Sequence, residues 1–259
     1  MKPKMPVLFV GHGSPMNAIE DSEFATGWKR TGMSIPRPES VLCISAHWET
    51  KGTYFTAAEH PETIHDFAGF PRQLYEIRYP APGSPGLAAE AKASLSDSDT
   101  ALDANRGLDH GVWSVLRWMY PDADIPVVQM SIDYTKEADW HMNSARELSI
   151  LREKNVLIIG SGNMVHNLRM VDWRNPGGGF TWAETANKMI KELITTDKID
   201  ILSRYDSLGM EMKLAVPTPE HFIPLLYILA LREAGEKLTF FNDKVVVGSI
   251  SMTSVLIGS

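Results

Sequence analysis

Short runs of apolar, often β-branched residues are the feature that most constrains the fold of this chain. Runs without polar alternation are typical of strands buried on both faces, as in parallel sheets covered by helices. Glycines punctuate these runs and indicate where the strands end. The runs occupy residues 6–10, 41–46, 125–131, 156–160 and 245–250. They predict strands of a largely parallel central sheet.

Between these runs, apolar residues recur at helical spacing. The helix over 181–196 is predicted to start from a Thr cap at Thr181, and the last helix from Thr218 and Pro219 with an end at Gly235. The four predicted helices span residues 110–120, 136–154, 181–196 and 218–235. Strands that alternate with helices indicate an α/β sandwich with a largely parallel sheet flanked by helices. With no linker in the pattern, we expect one domain over residues 1–259.

Charge and composition exclude several classes of function. The net charge of −7 argues against nucleic-acid binding, which needs clustered Lys and Arg. The single cysteine, Cys43, rules out a disulfide framework and fits a reducing compartment. The N-terminal apolar run is shorter than the roughly 7–15 residues of a secretory signal, and no run approaches the roughly 20 of a membrane span. We expect a cytoplasmic protein without membrane contact, present as a monomer or small homo-oligomer.

Three histidines follow predicted strands directly. His12 stands in "VLFVGHGSP", His47 in "VLCISAHWE" and His166 in "VLIIGSGNMVH". In open α/β sheets, ligands bind in the crevice beyond the carboxyl ends of the strands, so these imidazoles are expected to converge there. Imidazole is the commonest metal-binding side chain and accepts Zn, Fe, Cu and Ni. The pattern therefore indicates a metal site at the sheet edge.

Two further histidines are open to two interpretations. His221 directly follows Glu220 at the start of a strongly apolar helix, where it is either a helix-start residue or a fourth imidazole facing the crevice. His110 opens a helix behind Asp109, a candidate cap, so it is either a helix-start residue or a functional side chain. The remaining histidines are expected on the surface or in loops, with His65 in an aromatic loop within reach of a substrate: His60, His65 and His141.

Several catalytic and binding motifs are absent from the sequence. "GSGNMV" (160–165) carries Val165 in place of the third glycine of a dinucleotide-binding fingerprint. Ser14 and Ser161 both lack the G-x-S-x-G frame of serine hydrolases. There is no H-E-x-x-H or C-x-x-C motif, and Cys43 lies in a strand run where a buried, inert thiol is expected.

Seven motifs together resemble one enzyme family. They are "GHGSPMNA", "SAHWET", "TIHDFAGFP", "YPAPGSP", "LDHGVW", "SGNMVHNLR" and "PTPEHFIPLL". In this order, over nearly the whole chain, they are similar to the class III extradiol ring-cleavage dioxygenases, in particular the 4,5-DOPA extradiol dioxygenase-like branch. The resemblance implies the α/β fold predicted above and an enzyme that opens an aromatic ring.

The resemblance also implies roles for the five histidines. It implies one divalent metal, Zn(II) or Fe(II), held by His12, His47 and His221. It implies that His166 stands beside the metal as a general acid/base or a further ligand, and that His110 contacts the substrate or the oxygen-derived intermediate. The expected substrates are a small aromatic diol, such as L-DOPA, and O2, with 4,5-extradiol cleavage to a muconic semialdehyde. The aromatic residues expected as walls for a planar substrate, or else as core, are Trp48, Phe67, Phe70 and Tyr75.

Two other functions remain compatible with the residues. A zinc-dependent hydrolase-type enzyme would use the same histidines to activate water, although only Glu49 and Glu220 stand near them as candidate carboxylate bases. A non-catalytic metal-binding relative of the fold is the second alternative, because fold alone does not fix function. The choice between Zn(II) and Fe(II) is open, since both metals accept nitrogen-rich sites.

Overall fold

The central strands form where the apolar runs predict them. The computed structural model describes residues 4–258, which form ten strands and nine α-helices. The strands are β1 Val7–Gly11, β2 Ser40–Thr50, β3 Thr53–Thr56, β4 Thr100–Asp103, β5 Val127–Asp133, β6 Val156–Gly162, β7 Leu238–Phe241, β8 Val245–Val246, β9 Ile250–Ser251 and β10 Ser254–Ile257. The helices are α1 Glu23–Ser34, α2 Arg72–Tyr75, α3 Pro85–Ser94, α4 His110–Met119, α5 Ala138–Glu147, α6 Thr181–Thr195, α7 Ile199–Leu202, α8 Met210–Ala215 and α9 Ile223–Ala230.

Eight of these strands form one sheet, in the order β4-β3-β5-β2-β6-β1-β10-β7. The four strands in the middle, β5, β2, β6 and β1, are parallel to one another. Their carboxyl ends therefore meet at one edge of the sheet. At one side β10 and β7 join antiparallel, and at the other β3 pairs antiparallel with β5 and parallel with β4. The expected α/β architecture, with a large central sheet flanked by helices, is confirmed.

The sheet carries a hydrophobic core on each face. Alternation along β1 sends Val7 and Phe9 to one core and Leu8 and Val10 to the other, as the period of two in a strand requires. The first core is closed by apolar residues of α3, α5, α6, α8 and α9, and the second by those of α1 and α4. Burial on both faces explains why the strand sequences show no polar alternation.

Two predictions about element boundaries are wrong in this part of the fold. The run 245–250 is not a strand of the main sheet: Val247 and Gly248 have φ of 43° and 82°, so the chain turns there and β8 pairs with β9 as a small hairpin. The main-sheet strands near the C-terminus are β7 and β10, which lie on either side of this hairpin in the sequence. The predicted helix 136–154 changes to a 3-10 helix over Leu148–Lys154.

The predicted helix 218–235 is shorter than its pattern suggests. Helix α9 begins at Ile223 behind Phe222, so Thr218 does not cap it, and residues 217–222 form an irregular segment that carries His221. Helix α6 begins at Thr181 itself, with Phe180 at the cap position and no side-chain cap. Among the described residues, the structure contains no helix of sufficient length and apolar character to cross a bilayer.

Candidate metal centre

Five histidines approach one another at the carboxyl ends of the parallel strands. His12 follows β1, His47 lies near the end of β2, and His166 follows β6. His110 is the first residue of α4, and His221 lies two residues before α9. The rings of His221 and His110 lie beside those of the strand-end histidines His12 and His47. The geometry therefore favours a role for both in the site over a purely structural role at a helix start.

His12, His47 and His221 converge most closely. One ring nitrogen from each lies within 4.8 Å of the other two. The Nε2 atoms of His12 and His47 are 3.0 Å apart, and the ring centroids of His47 and His221 are 5.0 Å apart. Three imidazole nitrogens at this spacing, brought from three distant segments, form an arrangement that can hold a transition-metal ion.

Glycines in β6 allow His221 to approach the sheet. A Cβ atom at Gly162 would collide with the backbone carbonyl of His221, and one at Gly160 with the carbonyl of Pro224. The backbone N–H of Asn163 donates to the His221 carbonyl at 2.9 Å, which fixes this contact. The close approach of two backbones therefore requires glycine at these positions.

Hydrogen bonds orient two of these rings. Ser161 Oγ donates to the carbonyl of Gly111 at 2.5 Å, so it accepts from His12 Nδ1–H at 2.9 Å. This leaves the lone pair of His12 on Nε2, the atom that faces His47. Glu220 Oε1 lies 3.0 Å from His221 Nδ1, and His221 Nε2 is buried without a hydrogen-bond partner among the described residues. An outer carboxylate on one ring nitrogen and a free lone pair on the other is the usual arrangement of a metal-binding histidine.

The protonation states suit metal binding. Burial is the main cause that lowers the pKa of His12 well below its usual value, and the neighbouring His47 lowers it further. Burial also lowers the pKa of His221 well below its usual value, and His166 is the second cause. Burial and then His110 lower the pKa of His47 to about 3. All three rings are thus neutral at pH 7, as ligation requires. The residues present fit a divalent metal.

Asp66 is a site residue that sequence reasoning missed. Its Oδ1 accepts from the backbone N–H of His110 at 2.9 Å, and its Oδ2 accepts from His110 Nδ1 at 2.9 Å. The same Oδ2 lies 3.5 Å from His47 Nδ1. Burial raises the pKa of Asp66, but the hydrogen bonds and charge of His110 outweigh this effect and lower that pKa to about 2. The available signal was its position in the "TIHDFAGFP" loop, beside the histidine that drew attention instead.

His166 lies against His221 rather than within the group of three. The two rings are stacked, with centroids 3.5 Å apart and planes at 9°. The backbone N–H of His166 donates to the carbonyl of Ala215, which holds the segment in place. Burial, reduced by the charge of Glu220, lowers the pKa of His166 to about 4. The ring is therefore neutral and available as a proton acceptor.

The other histidines and the candidate cap fall elsewhere. The expectation that His141 is a surface or loop residue is wrong: it lies in α5, is 1% exposed and bonds to Tyr227 Oη at 3.0 Å. His60 is exposed, and His65 bonds to the carbonyl of Ile77. Asp109 stands at the cap position of α4, but its side chain does not cap and instead accepts from Ser45 at 2.7 Å.

The aromatic loop borders the histidines through Phe67. Its ring lies edge-on to His110 at 5.5 Å and contacts Phe70 at 5.3 Å and Tyr75 at 5.2 Å. Trp48 is buried beneath Arg106, whose guanidinium lies 5.3 Å from the indole centroid. Three of the four expected wall residues thus form one aromatic cluster beside the site.

The fold and the five clustered histidines define an α/β protein with a candidate metal centre at the sheet edge. Comparison with known families agrees: residues 6–256 match the family described as the catalytic LigB subunit of aromatic ring-opening dioxygenase. The chain therefore belongs to this family, and the expectation of an enzyme of the extradiol dioxygenase type is confirmed.

Individual relatives cover almost the whole chain. A protein of Escherichia coli K12 named 4,5-DOPA dioxygenase extradiol is 45% identical over 98% of this chain and 95% of its own length. A protein of the same name from Beta vulgaris is 38% identical over 88% of this chain and 87% of its own. A crystal structure of an uncharacterised Escherichia coli K12 protein superposes with a TM-score of 0.85 at 42% identity, covering 98% of this chain and all (100%) of the other.

Proposed function

We propose that the chain is a metal-dependent extradiol dioxygenase that cleaves the ring of a catechol, such as L-DOPA, with O2. The product would be a muconic semialdehyde from 4,5-extradiol cleavage. The observation that carries the proposal is the convergence of His12, His47 and His221 within 4.8 Å. The names of the relatives from Escherichia coli and Beta vulgaris support the substrate class.

In this proposal His12, His47 and His221 hold one divalent metal, Zn(II) or Fe(II). When bound, such a metal supplies Lewis acidity towards the two ring oxygens of a catechol and, in the case of iron, redox chemistry towards O2. The chain itself supplies the orientation of the ligands. Ser161 and Glu220 fix two of the rings through Nδ1, so that the Nε2 lone pairs point into the site.

His166 and His110 are proposed to handle protons. His166 stacks parallel to His221, and its ring nitrogen groups within 4.8 Å with Glu220 and His221 rather than with His12 and His47, so we assign it acid/base work beside the metal rather than ligation. With a pKa of about 4, it accepts a proton from an incoming ring hydroxyl. Asp66 binds the proton on His110 Nδ1, which leaves the lone pair of His110 on Nε2 to accept from the substrate.

The proposal also covers the surroundings of the reaction. Phe67, Phe70 and Tyr75 provide apolar faces for a planar ring and exclude water from one side. We propose that residues 1–259 act as one catalytic domain, without a nucleic-acid partner. A cytoplasmic location stays a prediction, supported by the single cysteine, and the charge of −7 supports the absence of a nucleic-acid partner. A monomer or small homo-oligomer also stays a prediction.

Anaerobic loading with Fe(II), followed by L-DOPA and O2, tests the proposal. We expect O2 uptake and a yellow product, with both lost in a His47→Ala variant that no longer retains metal. His166→Ala should retain one metal per chain and lose at least about 10²-fold in kcat, as expected for removal of a general acid/base. Loss of metal in that variant would instead make His166 a ligand. An iron-loaded protein without ring cleavage, across several catechols, would refute the proposed activity.

The same assays separate the two alternatives. A zinc-dependent hydrolase would need a carboxylate base. Glu220 Oε1 already accepts from His221 and from Thr218 Oγ1 at 2.9 Å, which leaves Glu49 as the remaining candidate. A non-catalytic relative would bind metal without O2 uptake. Metal content measured together with O2 uptake therefore distinguishes all three functions.

A further inference from the structure

Strand β2 carries His47 at a place where the register of the sheet is interrupted. The pairing of β2 with β6 ends before His47, and its pairing with β5 shifts register between Ile44 and Glu49. Such a shift marks a β-bulge, here over residues 45–48, in which the ladder is locally disrupted and a side chain is re-aimed. Groups outside the regular ladder must therefore hold His47 in its place.

Both polar groups of the His47 backbone lead to one carboxylate, that of Asp109. The N–H of His47 donates to Ser45 Oγ at 3.3 Å, and Ser45 Oγ donates in turn to Asp109 Oδ1 at 2.7 Å. The carbonyl of His47 accepts from Arg106 Nη2 at 3.3 Å, and the same nitrogen lies 3.5 Å from Asp109 Oδ2. Each oxygen of the carboxylate thus reaches the His47 backbone through one intermediate side chain.

Asp109 is itself firmly held by β5. The side chain is fully buried, and so is that of Gln129 in the middle of β5. Gln129 Oε1 accepts from the backbone N–H of Asp109 at 3.1 Å, and the amide nitrogen of Gln129 donates to Asp109 Oδ2. A buried carboxylate with donors on both oxygens has a defined position. Asp109 is therefore an anchor that β2, β5 and α4 share.

The same anchor sets the start of α4. Asp109 directly precedes His110, whose ring centroid lies 4.0 Å from that of His47. A Cβ atom at Gly111 would lie 2.8 Å from Ser45 Oγ and 3.1 Å from His47 Cδ2, so α4 packs directly against the bulge. A displacement of Asp109 would therefore change the distance between the two imidazole rings.

We propose that Asp109 is a positioning residue that, through Ser45 and Arg106, holds the bulge of β2 and so sets the place of His47 relative to His110. The inference rests on the proposed function, in which His47 binds the metal and His110 handles a proton. Asp66 contacts the rings of these two histidines, whereas Asp109 holds the backbone that carries them.

An isosteric pair of variants isolates this role. Asp109→Asn places an N–H₂ group opposite either the Gln129 amide nitrogen or the Ser45 hydroxyl, both of which donate to the carboxylate. Asp109→Asn combined with Gln129→Glu returns an acceptor to that contact and restores the charge, so we expect recovery in the double variant. Asp133→Asn is the matched control for lost stability, since this buried carboxylate bonds to Thr135 instead.

Amide hydrogen exchange in the metal-free protein tests the role without turnover. We expect the His47 amide to exchange at least about 10-fold faster in Asp109→Asn and to return towards its original rate in the double variant with Gln129→Glu. The Val41 amide, which donates to the carbonyl of Pro126 at 2.8 Å earlier in β2, should keep its rate. An unchanged His47 rate in folded Asp109→Asn, or equal acceleration of both amides, would overturn the proposal.

Co(II) binding, followed by its visible absorption, tests the effect on the metal centre. We expect the Kd for Co(II) to rise at least about 10-fold in Asp109→Asn, with a changed spectrum, and at least about threefold in Arg106→Gln. Arg106 is partly exposed, so its variant tests the role even where Asp109→Asn does not fold. Asp133→Asn should change neither Kd nor spectrum. An unchanged Kd in folded Arg106→Gln would contradict the link between Arg106 and His47.

Turnover separates this inference from the proposed activity. With Fe(II) at saturation, we expect kcat of Asp109→Asn to fall at least about 10-fold and KM to change less than about threefold, because the groups that contact the substrate remain. Unchanged kcat and Co(II) binding in that variant would refute the positioning role and leave ring cleavage intact. Faster His47 exchange and weaker Co(II) binding, in a protein whose unaltered form cleaves no catechol, would support the positioning role and refute the activity.

Discussion

Replacement of Asp66 by asparagine gives the sharpest test of how the site controls protons. The carboxylate accepts from both the backbone N–H and Nδ1–H of His110. In Asp66→Asn, the amide oxygen can keep the backbone bond, but the amide nitrogen then faces His110 Nδ1 as a donor. The ring must shift its proton from Nδ1 to Nε2 to accept that bond. The nitrogen that faces the substrate changes from an acceptor to a donor.

The size of the effect follows from the contacts. A hydrogen bond to a charged group contributes roughly 1.5–3 kcal/mol, and the Asp66 side chain is only 19% exposed, so little of this is screened. Loss of a general base typically costs about 10²–10⁴-fold in rate. Because His166 remains, we expect the lower end, a fall of about 10²-fold in kcat with a smaller change in KM.

The assay must separate orientation from loss of metal, because Asp66 Oδ2 also lies 3.5 Å from His47 Nδ1. O2 consumption gives kcat and KM, elemental analysis gives metal per chain, and ¹⁵N NMR shifts report the tautomer of His110. Asp122→Asn, an exposed site, is the matched control. A variant with full metal, an inverted tautomer and unchanged kcat would refute the role of His110 Nε2 as an acceptor. An unchanged tautomer would refute the orienting role of Asp66.

Two further predictions concern the construction of the fold. Gly162→Ala places a Cβ against the His221 carbonyl, so we expect a loss of about 1–3 kcal/mol in the free energy of unfolding and less metal per chain. Urea titrations measure the first and elemental analysis the second. Gly177→Ala, whose Cβ meets open space, is the control and should change neither. His141 has a pKa of about 4 because burial favours its neutral form, whereas the unfolded chain protonates near 6.5, so stability is lost as pH falls from about 6.5 towards 4. His141→Gln should therefore reduce the loss between pH 6.5 and 5 by about 2 kcal/mol, a change that His60→Gln should not produce; equal slopes in all three proteins would contradict this assignment.

Much of the fold was predictable because apolar runs report burial directly. The strands around Phe9, Ile44, Met130 and Ile158 were expected from sequence, since strands buried on both faces must be apolar throughout. The strand prediction for 245–250 was wrong because a hairpin of two short strands, with a turn at Val247 and Gly248, has the same apolar composition as one continuous strand. Composition reports burial, but it does not report which partner a segment pairs with.

The candidate site, too, was predictable from the sequence in one part and not in another. The sequence by itself determined that imidazoles stand at the ends of parallel strands, because chain direction places those ends at one edge of the sheet. Only the tertiary structure decided that Asp66 binds His110, that His166 stacks on His221, and that Asp109 joins α4 to β2 and β5. These contacts join segments tens of residues apart through loops whose paths depend on the packed core, and no local pattern encodes such distances.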